Sequence, residues 1–220
     1  ESAMTQTTPA DAIALHQRDA RGVHRLTLNQ PKAFNVLSEA MLTELQRQID
    51  LIAADESARV LVIAAEGKAF CAGHDLKQMK ASPRLDYCQE LFAQCSRMML
   101  ALLKLPVPVI ARVQGLATAA GCQLVAQCDL AVAVDSARFG VNGIDVGLFC
   151  ATPSVPLVRN MAPKPALEML LTGGFIAADE ARARGLVNRV VPAEQLDAAV
   201  EELVAAILAK PREAIAAGKE

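Results

Sequence analysis

The segment ARVLVIAAE, residues 58–66, is almost wholly apolar and does not alternate. A strand with one wet face alternates between apolar and polar residues. One that does not is buried on both faces, as happens inside a parallel sheet. PVPVIARV (106–113) and DLAVAVD (129–135) read as two more strands. Between these runs the period changes. Ser38 caps a helix whose apolar stripe is Met41, Leu42, Leu45, Ile49 and Ile52. Ser82 and Pro83 open a longer helix through Leu85, Cys88, Leu91, Phe92, Cys95, Met99 and Leu102. CQLVAQC (122–128) reads as a third helix. Strands alternating with helices predict an α/β fold with parallel layers.

The rest of the chain extends that pattern. AIALHQRDARGVHRLTLNQP (12–31) alternates around Arg21-Gly22 and predicts a hairpin. Asn29 to Asn35 form a polar turn containing Pro31. Residues 139–153 read as irregular. Helices are expected at about 154–161, 164–171 and 178–184, then a short strand at NRVVP (188–192), a helix from Ala193 to Leu208, and another opening at Pro211. No internal repeat is visible.

At 220 residues the length suits one domain. Hydrophobic residues are 53% and charged ones 21%, enough apolar material for a full core. A net charge of −2 offers no general attraction to nucleic acid or to an anionic membrane. Aromatics at 3% argue against base-stacking surfaces. No apolar run is long enough to cross a bilayer, and the first residues do not read as a secretory signal. Glu1 to Ala3 read as a cloning remnant before a natural start at Met4. The six cysteines form no C-x-x-C pair and have no histidine at zinc-ligand spacing, so no metal is expected. They read as small buried thiols in a reducing compartment, the cytoplasm.

Two places share one grammar of apolar strand, small-residue turn and helix: VLVIAAEGKAFCAGHDL and VPVIARVQGLATAAGCQL. A helix start offers unpaired N–H groups and partial positive charge, and small side chains let a ligand oxygen reach them. Two such starts on neighbouring strands would aim two donors at one oxygen, an oxyanion hole for an enolate or a tetrahedral alkoxide. Each turn taken alone also fits plain tight packing of a helix on a strand. Neither matches a phosphate loop.

AFCAGHDLKQM, PVPVIARVQGLATAAGCQLVAQCDLAVAVDSARFG, GIDVGLFCATPSV, TGGFIAADEARARGLVNRVVP and LAKP, in that order, resemble the crotonase (enoyl-CoA hydratase/isomerase) superfamily over residues 13–210. GHDL, GLATAAGCQLVAQCD and GLFCATP are similar to one branch of it, the enoyl-CoA hydratase domain-containing proteins. The resemblance implies a spiral of ββα units over residues 4–192. Residues 193–220 would then begin a helical C-terminal trimerisation region, incomplete beside its relatives. It implies a homotrimer or a dimer of trimers, and acyl-CoA thioesters as substrates, with no cofactor beyond the coenzyme A of the substrate. The thioester oxygen would lie between the backbone N–H groups of His74 and Ala120. Lys32, Ala33, Asp75 and Leu76 would neighbour the CoA part, and Ala72, Gly73 and Gly121 would border the substrate.

In the hydratases of this family two glutamates move the proton. The resemblance puts Gln123 and Gly143 at those positions. An amide holds water but does not transfer protons at neutral pH, and glycine has no side chain. Each missing acid–base group costs ~10²–10⁴ in rate, which argues against ordinary hydration of 2-enoyl-CoA. Asp145 stands two residues from the empty position, a spacing that returns to the same face in an extended segment; a local cap is its other reading. The His74 ring reads as a bystander to its own N–H. Cys122 and Cys150 lie in the right segments without a base or cation to activate them. Asp129 reads as a structural cap. The functional readings are therefore an acyl-CoA enzyme under the hydratase (lyase) label, a thioester hydrolase using the same hole, and a non-catalytic acyl-CoA binder or scaffold.

Overall fold

A computed structural model describes residues 5–6 and 11–219. The expectations for residues 1–3 and for a start at Met4 lie outside them. The strands are β1 (Thr5–Gln6), β2 (Ala14–Arg18), β3 (Val23–Leu28), β4 (Val60–Ala65), β5 (Ala69–Cys71), β6 (Val109–Val113), β7 (Leu116–Thr118), β8 (Leu130–Val134), β9 (Arg138–Gly140), β10 (Ile176–Ala177) and β11 (Arg189–Val191). The helices are α1 (Glu39–Ala53), α2 (Leu76–Ala81), α3 (Leu85–Lys104), α4 (Ala120–Gln127), α5 (Ala151–Asn160), α6 (Pro163–Thr172), α7 (Ala178–Ala183), α8 (Leu196–Leu208) and α9 (Arg212–Lys219). The fold is mixed α/β, as the alternation of patterns predicts.

Two sheets share the strands. The larger has seven strands in the order β1-β2-β3-β4-β6-β8-β11, and the smaller has four in the order β10-β9-β7-β5. β3, β4, β6, β8 and β11 run parallel, and every residue of β4 is buried. That satisfies the two-sided burial read from ARVLVIAAE. β2 and β3 form the hairpin expected around Arg21-Gly22.

The small sheet is where the sequence reading falls short. Each of β4, β6 and β8 is followed within a few residues by a strand of three residues: β5, β7 and β9. These second strands pair with one another in parallel. The chain therefore repeats a strand–strand–helix unit, although its sequence shows no repeat to the eye. Residues 139–153, read as irregular, contain the end of β9, a 3₁₀ turn over Asn142–Val146 and the start of α5.

Local chemistry sets the helix ends. Ser38 accepts from the N–H of Met41 and starts α1 as expected, with all five stripe residues buried. α3 begins at Leu85 rather than at Ser82, because Ser82 closes α2 by donating its N–H to the Met79 carbonyl. Leu85, read as part of the buried stripe, is 74% exposed in consequence. Asp129 is the structural group expected: its carboxylate accepts from the N–H of Val109 at 2.7 Å. α8 lies across β4, β6, β8 and β11. Among the described residues no helix is long and apolar enough to cross a membrane.

Candidate active site

β5 and β7 pair in parallel, with Cys71 opposite Ala117. Their C-terminal ends therefore lie side by side, and a turn into a helix leaves each one. In the first turn Gly73 has φ +84 and is followed by His74. In the second, Ala119 has φ 50 and ψ −122 and is followed by Ala120, the first residue of α4. Each candidate donor amide thus follows a residue in the left-handed half of φ space, which rotates the next N–H out of the strand direction. Among the described residues no backbone bond of the loops uses the N–H of His74 or of Ala120. Ala120 heads its helix and so has no acceptor within it.

The two turns touch. A Cβ on Gly73 would lie 2.9 Å from Ala119 Cβ and 3.2 Å from Ala120 N. A Cβ on Gly121 would lie 2.0 Å from the Cys71 carbonyl oxygen. Glycine is required at 121 because backbone meets backbone there, and at 73 because of its positive φ and the nearby Ala119 Cβ. The rest of the first turn is pinned from outside. Asp75 caps α2, accepting from the N–H groups of Lys77 and Gln78. Leu37 donates its N–H to the Gly73 carbonyl at 2.8 Å.

A cavity of about 260 Å³ opens at this junction. Ala72 and His74 form one wall and Thr118, Ala119 and Ala120 the next. Asn142, Gly143 and residues of the 146–153 segment close the far side, and Met79 and Phe92 add apolar surface. None of the described residues lining it is Asp, Glu, Lys or Arg. A wider hollow of about 410 Å³ lies against α8 and α9 and is lined by neither turn; Asp129 and Lys219 pair on its wall at 2.5 Å.

The polar groups at the cavity are uncharged. Burial pushes the His74 imidazole down to about 4, so the ring is neutral near pH 7. It packs edge-on against Phe92 at 5.0 Å, and its Nδ1 has no hydrogen-bond partner. Burial pushes the Cys150 thiol upward, with a weaker opposing contribution from the backbone of Gly143. Burial likewise holds Cys122 up at about 12. Both are thiols rather than thiolates, which matches the absence of an activating neighbour in the sequence.

Several residues singled out in the sequence lie elsewhere. Gln123 is 5% exposed and does not line the cavity; α4 is buried nearly all round, so its amide is enclosed by protein, and Oε1 is unpaired. Gly143 does line the cavity, but a side chain does not fit: its Cβ would meet the Leu148 carbonyl oxygen at 2.4 Å and Cys150 Sγ at 2.8 Å. Asp145 is outside. The 3₁₀ turn swings it away from the extended path that its spacing assumed, and its carboxylate lies against Gly173. Lys32 and Ala33 sit on an exposed 3₁₀ turn away from the cavity lining. That turn is joined to the site by the N–H of Ala72, which donates to the Phe34 carbonyl at 3.1 Å. Ala72 and Leu76 line the cavity, whereas Gly73, Asp75 and Gly121 shape the turns around it.

Two features were missed in the sequence. Asn35, fully buried, holds the Lys32 turn by accepting from Gln30 N–H and donating to the carbonyls of Glu66 and Ala69. The one signal available in the sequence is an asparagine at the end of a polar turn, a residue that tolerates the left-handed φ of 52 found there. The other is a hydrogen bond from Thr118 Oγ1 to Asn142 Oδ1 at 2.5 Å, which joins the second turn to the far wall.

A model of the enoyl-CoA hydratase/isomerase family matches residues 18–220. The mitochondrial enoyl-CoA hydratase domain-containing protein 3 of Xenopus laevis is 45% identical over 99% of this chain and 73% of its own length. Its human counterpart, also named mitochondrial, is 45% identical over 92% of this chain and 67% of its own. Among solved structures, an enoyl-CoA hydratase of Mycobacterium smegmatis superposes with TM-score 0.94 at 59% identity, covering 95% of this chain and 81% of that one. The human domain-containing protein 3 superposes with TM-score 0.90 at 44% identity, covering 94% and 82%. These names overturn the expectation of a cytoplasmic protein. Buried free thiols report a reducing environment, and that property does not separate one reducing compartment from another. The fold, its small-sheet turns and these matches together establish that the chain belongs to the enoyl-CoA hydratase/isomerase family.

Proposed function

We propose that the cavity binds an acyl-CoA thioester with its carbonyl oxygen between the N–H groups of His74 and Ala120, two donors placed to stabilise negative charge on that oxygen, whether of an enolate or of a tetrahedral alkoxide. The supporting observation is the pair of touching turns on parallel strands, each with a positive-φ residue just before its donor. Preorganised donors of this kind are worth far more in an enclosed site than in water. The CoA part runs over the exposed edge that carries Lys32, Ala33, Asp75 and Leu76. The physiological ligand is a thioester of fatty acid metabolism, and the assembly is a homotrimer or a dimer of trimers.

Hydration of 2-enoyl-CoA is not the main reaction in this reading. Gln123 and Gly143 supply no proton-transfer group, and no carboxylate lines the cavity among the described residues. The same absence favours a second reading, a binder of acyl-CoA without turnover.

Incubation with crotonyl-CoA, followed by loss of the conjugated thioester absorbance, tests the first point. The expected rate is ~10²-fold or more below that of a hydratase with both carboxylates. A rate at hydratase level would overturn the reading. Calorimetry with CoA and short acyl-CoAs, paired with mass spectrometry of products, separates enzyme from binder: binding with a product supports the enzyme, and binding without one supports the binder. Absence of binding would remove both.

A further inference from the structure

We propose that Asn142, held by Thr118, selects the acyl group: its side-chain amide donates to an uncharged oxygen carried on the acyl chain beside the thioester carbonyl. This rests on the thioester reading above and names the substrate class of the same site.

Thr118 is the last residue of β7, two before the Ala120 donor. It pairs in register with Gly140, two before Asn142. Both residues line the cavity, and the bond between their side chains sets the amide beside the second turn. The Thr118 hydroxyl has one proton and gives it to Asn142 Oδ1 at 2.5 Å. That bond fixes the amide plane and leaves the two Nδ2 protons with no protein acceptor among the described residues. Gly143, immediately next, has no side chain to cover them.

A purely alkyl chain seated there strips water from those N–H groups and offers nothing in exchange. An oxygen on the chain replaces the water bond. A donor that the bound ligand would cover and leave unpaired discriminates against the analogue lacking the acceptor. The acceptor is uncharged because nothing in the cavity would pair a carboxylate. No Lys or Arg lines it among the described residues, and the His74 ring is neutral. A 3-oxoacyl thioester has the required oxygen and no excess charge.

The test is calorimetry with butyryl-CoA and its 3-oxo analogue, below neutral pH where the latter is not ionised to its enolate. Wild-type protein is compared with Asn142→Leu and Asn142→Asp. The Asp variant keeps an acceptor for Thr118 and lacks the two donors, so it separates recognition from the tie to β7. Wild-type protein is expected to bind the 3-oxo thioester about fivefold to tenfold more tightly. In both variants that ratio is expected to fall to about one. A wild-type ratio near one, or a ratio unchanged in both variants, overturns the inference. Failure of both thioesters to bind wild-type protein overturns the thioester reading itself, and this inference with it.

Discussion

Ala119, at φ 50 and ψ −122, occupies backbone space that suits glycine. Such a conformation costs on the order of 1–3 kcal/mol in a residue with a Cβ, and it persists only where the surroundings impose it. Here they do: Ala119 donates its N–H to the Gly140 carbonyl at 2.9 Å and accepts from Gln123 N at 3.0 Å. Ala119→Gly relieves the strain but adds freedom to the unfolded chain, worth about 1 kcal/mol in the opposite direction. The net expectation is a stabilisation of about 1 kcal/mol, read as a higher urea midpoint at unchanged slope. A lower midpoint would show that the turn holds no strain. The two small-residue turns were legible in the sequence, whereas the amides of His74 and Ala120 were singled out within them by the family resemblance alone. The neighbours were less legible. Spacing places Gln123 and Gly143 along the chain but says nothing of direction, and folding encloses one among the elements around α4 and wedges the other against Leu148 and Cys150.

Elements long enough to carry a pattern, alternating or wholly apolar, were legible, and shorter ones were not. β4 and α1 run long enough for burial to print a pattern. β5, β7 and β9 have three residues each, too few for alternation, and they are defined by partners far away in sequence. Where α1 covers the β2–β3 hairpin, pairing likewise has a consequence invisible in the sequence. His16 Nε2 lies 2.8 Å from His24 Nδ1, and His24 Nε2 lies 3.0 Å from Asp55 Oδ2. Burial holds His16 down at about 4 and His24 below its ordinary 6.5. The unfolded chain takes up these protons near 6.5, whereas the folded chain resists until lower pH. Stability is therefore full above about 6.5 and falls as the pH drops toward 4, by on the order of 3 kcal/mol for His16. Asp55, held low chiefly by the Ser57 hydroxyl, adds a further loss below its ordinary 3.8. Urea midpoints measured from pH 7 to 4 should fall less steeply in His16→Gln than in the wild type. Identical slopes would mean that the ring protonates in the folded protein without cost.

At the scale of the whole molecule, the far wall of the cavity and an exposed apolar face are built from the same segments. Val146, Phe149, Val155 and Leu171 are all exposed, Leu171 to 63%. They stand on the 3₁₀ turn, α5, α6 and the loop between the turn and α5, and α6 packs on both the turn and α5. Exposed apolar side chains on adjoining segments suit either a ligand groove or contact with another protein. In the proposed assembly this face meets another copy of the chain, so light scattering should give a mass of three or six copies. Leu171→Glu leaves the protomer's buried core untouched and puts a charge on that face. It is expected to shift the mass toward one copy while the protomer still melts cooperatively. Because the 146–153 segment also closes the cavity, thioester affinity should fall together with the mass. A wild-type protein that runs as a single copy, or a variant that keeps its full mass, would remove this face from the assembly. Loss of mass with unchanged affinity would show that one protomer holds its cavity closed without help.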